Sequence, residues 1–474
     1  MVNIKLEGTW VSLLPFLIVI PLAIWLREIL PGLVAGLLIG AFFLEQHFLL
    51  AIEQAVQATL QAATEMSHIQ VLAFLYLFGA LVGMMQITGG MKGFVQWISK
   101  KIHSRRRLLW FIWLTIPFTF FTPMFRIMLI GPVMKSLLDK FHIDKRKMAY
   151  MIDVSTEPII VLLPAATAFV GFMTSVVDGA LKQNQMEENA FSLFLASLPY
   201  NFFAIIALLI GVVTTFKNIG IGQEEKEKGD EQNYFHRLGL KKELALVVGE
   251  PLHLFFPLLL VLSFTLFFFW YDGTKRGADN LIAAFTAADA TFVMVVSLFV
   301  TIIVTMLFYL FRRQKLDELI YHLFDGGNEL MAPIGMLILV WALSATAEQL
   351  GFSHYIASTF GGMLPKEMVP AMMFALGSFI SYFIGTSWGT WGLFMPLGVT
   401  LAAATGASLP MTVGAVFASG TFGAFASPLG DTTITTSSIM DLDLMEYAKY
   451  KLKISLVCGV LSLLSYLAAA WLLP

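Results

Sequence analysis

The segment 411–433 reads MTVGAVFASGTFGAFASPLGDTT. Residues 411–430 contain no charged side chain, and about 20 apolar residues are enough for an α-helix to cross a bilayer. Pro428 and Gly430 then interrupt the helical pattern directly before the carboxylate of Asp431. Irregular backbone and charge at membrane depth are tolerated only where protein or a water-filled cavity surrounds them. The segment therefore predicts a membrane-spanning helix that breaks inside a polytopic protein.

The whole chain has the composition of a membrane protein. Of its 474 residues 58% are hydrophobic and 13% are charged, whereas about 25% charged residues is usual in soluble domains. The formal net charge of −2 gives no reason to expect nucleic-acid binding. The single cysteine, Cys458, excludes an intramolecular disulfide and a cysteine-based metal site. The apolar run from Trp10 lacks a basic n-region, which predicts a retained first span.

Apolar length and charged flanks predict ten spans. They cover residues 10–26, 30–45, 69–90, 150–176, 192–216, 245–270, 284–311, 328–350, 411–430 and 454–472. Two longer apolar stretches, 107–138 and 367–403, are interrupted by Pro123 and by a glycine run. A long apolar stretch with a break in its middle predicts a re-entrant hairpin.

Basic residues set the predicted orientation, because short cytoplasmic loops carry an excess of Lys and Arg. Basic clusters flank both ends of 107–138 and recur in 217–244 and 312–315, whereas the loop after 150–176 is acidic. The two hairpins are therefore predicted to enter from opposite faces, as in inverted repeats. The predicted units are an N-terminal half, a charged cytoplasmic linker and a C-terminal half, over residues 1–219, 220–244 and 245–474. The predicted fold class is an all-α integral membrane protein with about ten transmembrane helices and two re-entrant hairpins in inverted-topology repeats.

Polar residues inside apolar spans mark the candidate site, since intramembrane ionisable residues are rare and usually functional. The second hairpin turns at Gly385-Thr386-Ser387-Trp388-Gly389-Thr390, where small residues release the backbone and hydroxyls can face a cation. The break of the following span supplies hydroxyls, carbonyls and a carboxylate, which are hard ligands that suit sodium. The predicted sodium ligands are Asp431, Thr386 and Ser427, within a wider binding set of Gly385, Ser387, Thr390, Thr432 and Thr433. Close helix packing is the alternative explanation of the glycines.

The first half offers matching residues. Its hairpin turns at Thr122-Pro123-Met124-Phe125-Arg126, and its next span contains Asp153-Val154-Ser155-Thr156-Glu157-Pro158. A buried arginine is costly unless it is paired, so we expect Arg126 to pair with Glu157 or Asp153. Asp153, Ser155, Thr156, Glu157 and Arg126 complete the predicted ion- or substrate-binding set.

These residues suggest an exchange of sodium for protons. A free aspartic acid is ionised at cellular pH, whereas burial favours its protonated form and bound sodium favours its ionised form. Competition of the two cations for one carboxylate, Asp431 first, is sufficient for exchange. The expected partners are sodium ions, protons and the lipid bilayer. No cofactor is expected, because sodium is a transported substrate, and the assembly state is left open with a homodimer as the candidate.

Several strings resemble the NhaC-type sodium/proton antiporter family over most of the chain. They are Gly385 to Gly392, Ser427 to Thr433, Gly79 to Gln86 with Gly89-Gly90, Tyr150 to Asp153 with Ser155-Thr156 and Pro158, and Trp341-Ala342-Leu343. The resemblance implies sodium/proton exchange by alternating access and a fold with hairpins. Members commonly carry paired acids in the first hairpin, where this chain has Arg126.

An arginine in that turn could instead grip a carboxylate, and some relatives exchange malate for lactate. The alternative function is therefore a sodium-coupled exchanger or symporter of an organic anion, of malate/lactate or amino-acid type. The sequence contains no His-Glu-x-x-His, nucleophile elbow or glycine-rich phosphate loop, so we do not expect an enzyme. A channel is disfavoured, because inverted repeats with broken helices are typical of alternating access. The expected location is a cell membrane, as a multi-pass protein of the bacterial plasma membrane.

Overall fold

The computed structural model describes residues 8–88, 90, 93–94, 97, 102–119, 122–141, 143–164, 167–216, 250–280, 284 and 287–472. The described part is helical throughout. Its α-helices, numbered in chain order, are α1 Leu14–Leu26, α2 Ile29–Glu45, α3 Phe48–Thr64, α4 Met66–Ile87, α5 Arg105–Leu114, α6 Ile116–Thr119, α7 Pro123–Phe141, α8 Lys145–Val154, α9 Glu157–Ile160, α10 Ala168–Gln183, α11 Ala190–Ser197, α12 Phe202–Phe216, α13 Leu252–Lys275, α14 Ala290–Phe311, α15 Leu316–Glu329, α16 Met331–Gln349, α17 Phe352–Phe360, α18 Val369–Ile384, α19 Ser387–Thr405, α20 Leu409–Ala426, α21 Asp431–Ile439 and α22 Leu444–Leu472.

Membrane-spanning helices dominate this architecture. In the described ranges seven helices are long and apolar enough to cross a bilayer, or eight if the pair α11 and α12, bent by 45°, forms one span. The first two apolar helices, α1 and α2, are shorter. The all-α integral membrane class is therefore confirmed, while the count of about ten spans and the re-entrant hairpins remain predictions.

Three elements differ from the sequence prediction. The predicted span 150–176 is divided among α8, α9 and α10, because Pro158 and Pro164 lack the N–H that a continuous helix needs. The helices α3 and α15 were not predicted, because they are too polar for a span. In α3 the buried residues follow helical spacing, and they are Ala51, Ala55, Ala58 and Ala62.

Elements before and after the predicted linker pack directly on one another. Helix α7 lies against α21, α8 lies against α21 and α22, and α10 lies against α19. Helices α18 and α20 approach closely at Gly423, where an added Cβ would lie 2.0 Å from Ser381 Oγ. The linker 220–244 lies outside the described residues, so the division into two inverted halves remains a prediction.

Candidate functional site

The first helix break lies between α8 and α9, and its polar residues are buried. Pro158 has no N–H and cannot donate to the carbonyl of Val154 four residues earlier. Four polar residues at the break are no more than 4% exposed: Asp153, Ser155, Thr156 and Glu157. Three separate hydrogen-bond networks begin at these four residues.

The first network surrounds the carboxylate of Asp153. Thr436 Oγ1 donates to its Oδ1 at 2.5 Å, and Tyr447 OH donates to its Oδ2 at 2.7 Å. Lys451 Nζ lies 2.6 Å from the same Oδ2, and both members of this ion pair are 0% exposed. The carboxylate of Asp153 thus accepts three hydrogen bonds, one of them from the lysine that balances its charge. All three donors belong to α21 and α22.

The second network surrounds Arg126, whose side chain is completely buried. A guanidinium has five N–H donors, and here each is directed at a neutral oxygen. Nε donates to Thr156 Oγ1 at 3.2 Å, Nη1 donates to Thr115 Oγ1 at 3.3 Å and to Thr119 Oγ1, and Nη2 donates to the Ile112 carbonyl at 2.6 Å and to Ser155 Oγ at 3.0 Å. Arg126, in α7, therefore connects α5 and α6 to the break.

The predicted ion pair of Arg126 is not formed. Within the described residues, neither Glu157 nor Asp153 accepts a hydrogen bond from its guanidinium. Asp153 is already paired with Lys451, and four hydroxyls and one carbonyl satisfy the planar fork of the arginine. The expectation that Arg126 pairs with Glu157 or Asp153 was wrong.

The third network begins at Glu157, which is 4% exposed. Ser387 Oγ, in the first residue of α19, lies 3.2 Å from Glu157 Oε1 and donates to it. In the described part of the chain Glu157 has no ion pair. The charged groups close enough to act on it electrostatically are Lys451, Asp431 and Asp153. Glu157 is thus a buried acid whose charge is not paired directly, and it joins α9 to α19.

The second helix break separates α20 from α21. Pro428 has no N–H for the carbonyl of Ala424. The N–H of Leu429 donates to Ser427 Oγ at 3.0 Å, and the N–H of Gly430 donates to the Ser427 carbonyl at 3.2 Å. The last carbonyls of α20 are therefore left without their helical donors, as the sequence predicts for a Pro/Gly break.

The turn between α18 and α19 packs against this second break. Gly385 has a φ of +79°, and a Cβ there would lie 2.7 Å from Leu429 Cβ and 2.8 Å from the Leu429 carbonyl carbon. The hydroxyls of Ser381 and Ser387 lie 3.1 and 3.4 Å from the carbonyl of Gly420 in α20. The turn, the break and Glu157 therefore meet in one region.

The remaining predicted residues of the second half divide into buried hydroxyls and an exposed acid. Thr432 and Thr433 are buried, and their hydroxyls have no hydrogen-bond partner in the described ranges. Thr390 Oγ1 donates to the Thr386 carbonyl at 3.1 Å. Asp431 is exposed, unlike Asp153 and Glu157. It is the first residue of α21, and the helix dipole favours a negative charge at this end of the helix.

Five residues of the networks were missed by the sequence analysis, and they are Thr115, Thr119, Thr436, Tyr447 and Lys451. Tyr447 and Lys451 are four residues apart and so share one face of a helix. This signal was available, but the last predicted span began at residue 454, whereas α22 begins at Leu444.

The sequence of this chain matches the model of a known protein family. A sequence profile described as the Na+/H+ antiporter family matches residues 159–471. An uncharacterized protein of Haemophilus influenzae is 25% identical over 450 residues, which cover 91% of this chain and 85% of that protein. A malate-2H+/Na+-lactate antiporter of Bacillus subtilis is 25% identical over 166 residues, which cover 32% of each protein.

A solved structure shows a similar fold. The Neisseria gonorrhoeae protein MtrF, whose structure is described as illuminating a class of antimetabolite efflux pumps, superimposes with a TM-score of 0.63. The alignment covers 90% of this chain and 85% of that one, at 11% sequence identity. At this identity the likeness concerns the fold alone.

Proposed function

Because the chain belongs to the Na+/H+ antiporter family, we propose that it exchanges sodium ions for protons across a cell membrane, with Glu157 as the carboxylate that binds either cation. The observation that carries this proposal is the burial of Glu157 without an ion pair in the described part of the chain. An uncompensated negative charge at membrane depth is costly. A sodium ion or a proton offsets it equally well, so the two cations compete for one group.

The other acids of the site are less suited to this role. Asp153 already holds the ammonium of Lys451 at 2.6 Å. Asp431 is exposed, whereas Glu157 is 4% exposed. It lies close enough to Glu157 to act on it electrostatically, so it is suited to attract cations toward the buried acid.

Neutral oxygens of the second half offer further ligands for sodium. Ser387 Oγ is in contact with Glu157, and the hydroxyls of Thr432 and Thr433 are buried without partners in the described ranges. Carboxylate and hydroxyl oxygens are hard ligands, which suit an alkali cation. Glu157 and Ser387 belong to the two predicted repeats, so rocking of one repeat against the other would change access to the site.

Transport of an organic anion remains the second candidate, because of the similarity to the malate-2H+/Na+-lactate antiporter. Arg126 was the expected anion clamp, but its five donors already have acceptors. A carboxylate could bind there only by displacing hydroxyls of the break. This arrangement favours cation exchange.

Reconstitution of the purified protein in liposomes containing a pH dye tests the proposal. A sodium gradient should drive proton movement in the opposite direction, and choline chloride at equal strength should not. Malate or lactate should leave the rate unchanged. A rate that stays at the level of empty liposomes until one of these solutes is added would replace cation exchange by the second candidate.

The contact of Gly385 with Leu429 gives a further prediction. Gly385→Ala should lose most sodium-driven proton flux, because the new methyl group would displace the break on which the turn rests. Gly406→Ala is the matched control, since Gly406 has a φ of +74° but nothing within 4 Å of its added Cβ. Both substitutions place a side chain on a residue with a positive φ, which costs about 1–2 kcal/mol. Equal losses of flux per folded protein in the two variants would show that strain alone matters.

A further inference from the structure

Lys451 brings a positive charge to a position that has the features of a cation site. Its Nζ lies 2.6 Å from Asp153 Oδ2, 4.8 Å from the centre of the Phe425 ring and 5.3 Å from that of Tyr447. Aromatic faces attract cations at such distances. Thr436 Oγ1 and Tyr447 OH also contact the carboxylate. The ammonium group therefore lies beside two aromatic rings and a carboxylate that also accepts hydrogen bonds from two hydroxyls.

This environment suits a free monovalent cation as well as a tethered one. The ammonium of lysine is a compact point charge, with the same charge as a sodium ion, and the oxygens around it are hard ligands. Attachment to α22 keeps the ammonium at Asp153 at a high effective concentration. A sodium ion therefore cannot compete for Asp153 while Lys451 is in place.

The buried charges support this assignment. In the described residues the buried Asp, Glu, Lys and Arg side chains are Arg126, Lys451, Asp153 and Glu157. Two are positive and two negative, and among these four only Lys451 and Asp153 form an ion pair with each other. Loss of the Lys451 charge would therefore leave Asp153 as a buried carboxylate without an ion-pair partner, and a sodium ion at the same position would offset its charge.

We infer that Lys451 fills a second cation position, on Asp153, and thereby restricts the protein to one exchangeable cation, at Glu157. The restriction to one exchangeable cation rests on the proposed function. The cation position on Asp153 does not, because it can be tested in a protein without the Glu157 carboxylate.

Sodium binding to purified variants in choline buffer, measured by calorimetry, provides the test. The wild type should bind one sodium ion and Glu157→Gln none. Adding Lys451→Ala to Glu157→Gln removes the ammonium and leaves its space open, so this double variant should bind one sodium ion. Adding Asp153→Asn as well should abolish binding. Lys449→Ala is the matched control, because Lys449 is an exposed lysine of the same helix, and in the Glu157→Gln protein it should create no site.

The outcomes separate the two ideas. Wild-type protein that binds no sodium, or Glu157→Gln protein that binds as well as wild type, contradicts the proposed function. A folded Glu157→Gln/Lys451→Ala protein that binds no sodium overturns the inference about Lys451. If this variant loses its fold in choline, sodium should restore it, since the ion replaces the missing charge. Failure of sodium to restore the fold would count equally against the inference.

Discussion

Reconstituted Glu157→Gln protein is expected to move no protons above the level of empty liposomes when a sodium gradient is imposed. Glutamine retains an oxygen that can accept the hydrogen bond from Ser387, but it can neither bind a proton at cellular pH nor offer a negative charge to sodium. Pyranine fluorescence inside the liposomes measures the flux. Sodium binding to the same purified protein measures the equilibrium step.

The structure offers a matched control for this substitution. Glu348 is a half-buried acid whose Oε2 accepts a hydrogen bond from Ser353 Oγ at 2.7 Å, as Glu157 does from Ser387. Glu348→Gln should transport at the wild-type rate. Glu157→Asp keeps the charge, but its side chain is one methylene group shorter and places the carboxylate farther from Ser387. This variant should retain exchange with a weaker apparent sodium affinity.

The same assay decides between Glu157 and the carboxylate favoured by the sequence. Asp431→Asn should retain exchange with a raised half-saturation concentration for sodium, because the exposed acid attracts cations but does not have to be neutralised in each cycle. If Asp431→Asn abolishes the flux and Glu157→Gln preserves it, Asp431 is the exchanging carboxylate and the proposed role of Glu157 is wrong.

The sequence predicted the fold class and the helix break at Pro428, because these follow from local chemistry, but it predicted an unbroken span over residues 150–176. Apolar length determines what can span a bilayer, and Pro158 and Pro428 cannot donate the helical hydrogen bond wherever they lie. The polar helices α3 and α15 could not be recognised in the same way. They are amphipathic, and a search for uniformly apolar spans passes over them.

The site was predicted less completely, because its contacts join residues that are far apart in the sequence. Lys451 lies 298 residues from Asp153, and in the sequence it is one of three alternate lysines beside a span, a pattern typical of a membrane interface. Only burial distinguishes it from its neighbours. The acids were also ranked by sequence context, which favoured Asp431, whereas the packing exposes Asp431 and buries Glu157.

Arg126→Ala should unfold at a markedly lower temperature than the wild type. The substitution leaves five buried oxygens without their donor, two of them at the first break, and disruption of a buried charged interaction costs about 3–5 kcal/mol. A thiol-reactive fluorophore can follow unfolding during heating, because the single cysteine, Cys458, is completely buried in the folded protein. Arg276→Ala is the control, since Arg276 is 49% exposed in its ion pair with Asp272 and such pairs contribute about 0–1 kcal/mol.

Two further variants distinguish hydrogen bonding to neutral oxygens from charge pairing at Arg126. Arg126→Lys restores the charge but offers three donors from one atom in place of a planar fork of five, so it should recover little of the lost stability. The Arg126→Ala/Glu157→Gln protein should be no more stable than Arg126→Ala, because the two side chains form no ion pair. Recovery of the wild-type unfolding temperature in that double variant would mean that the arginine is held by the carboxylate after all, in a state of the protein other than the one described here. Arg126 would then change partners during transport, and Glu157 would lose its position as the unpaired acid.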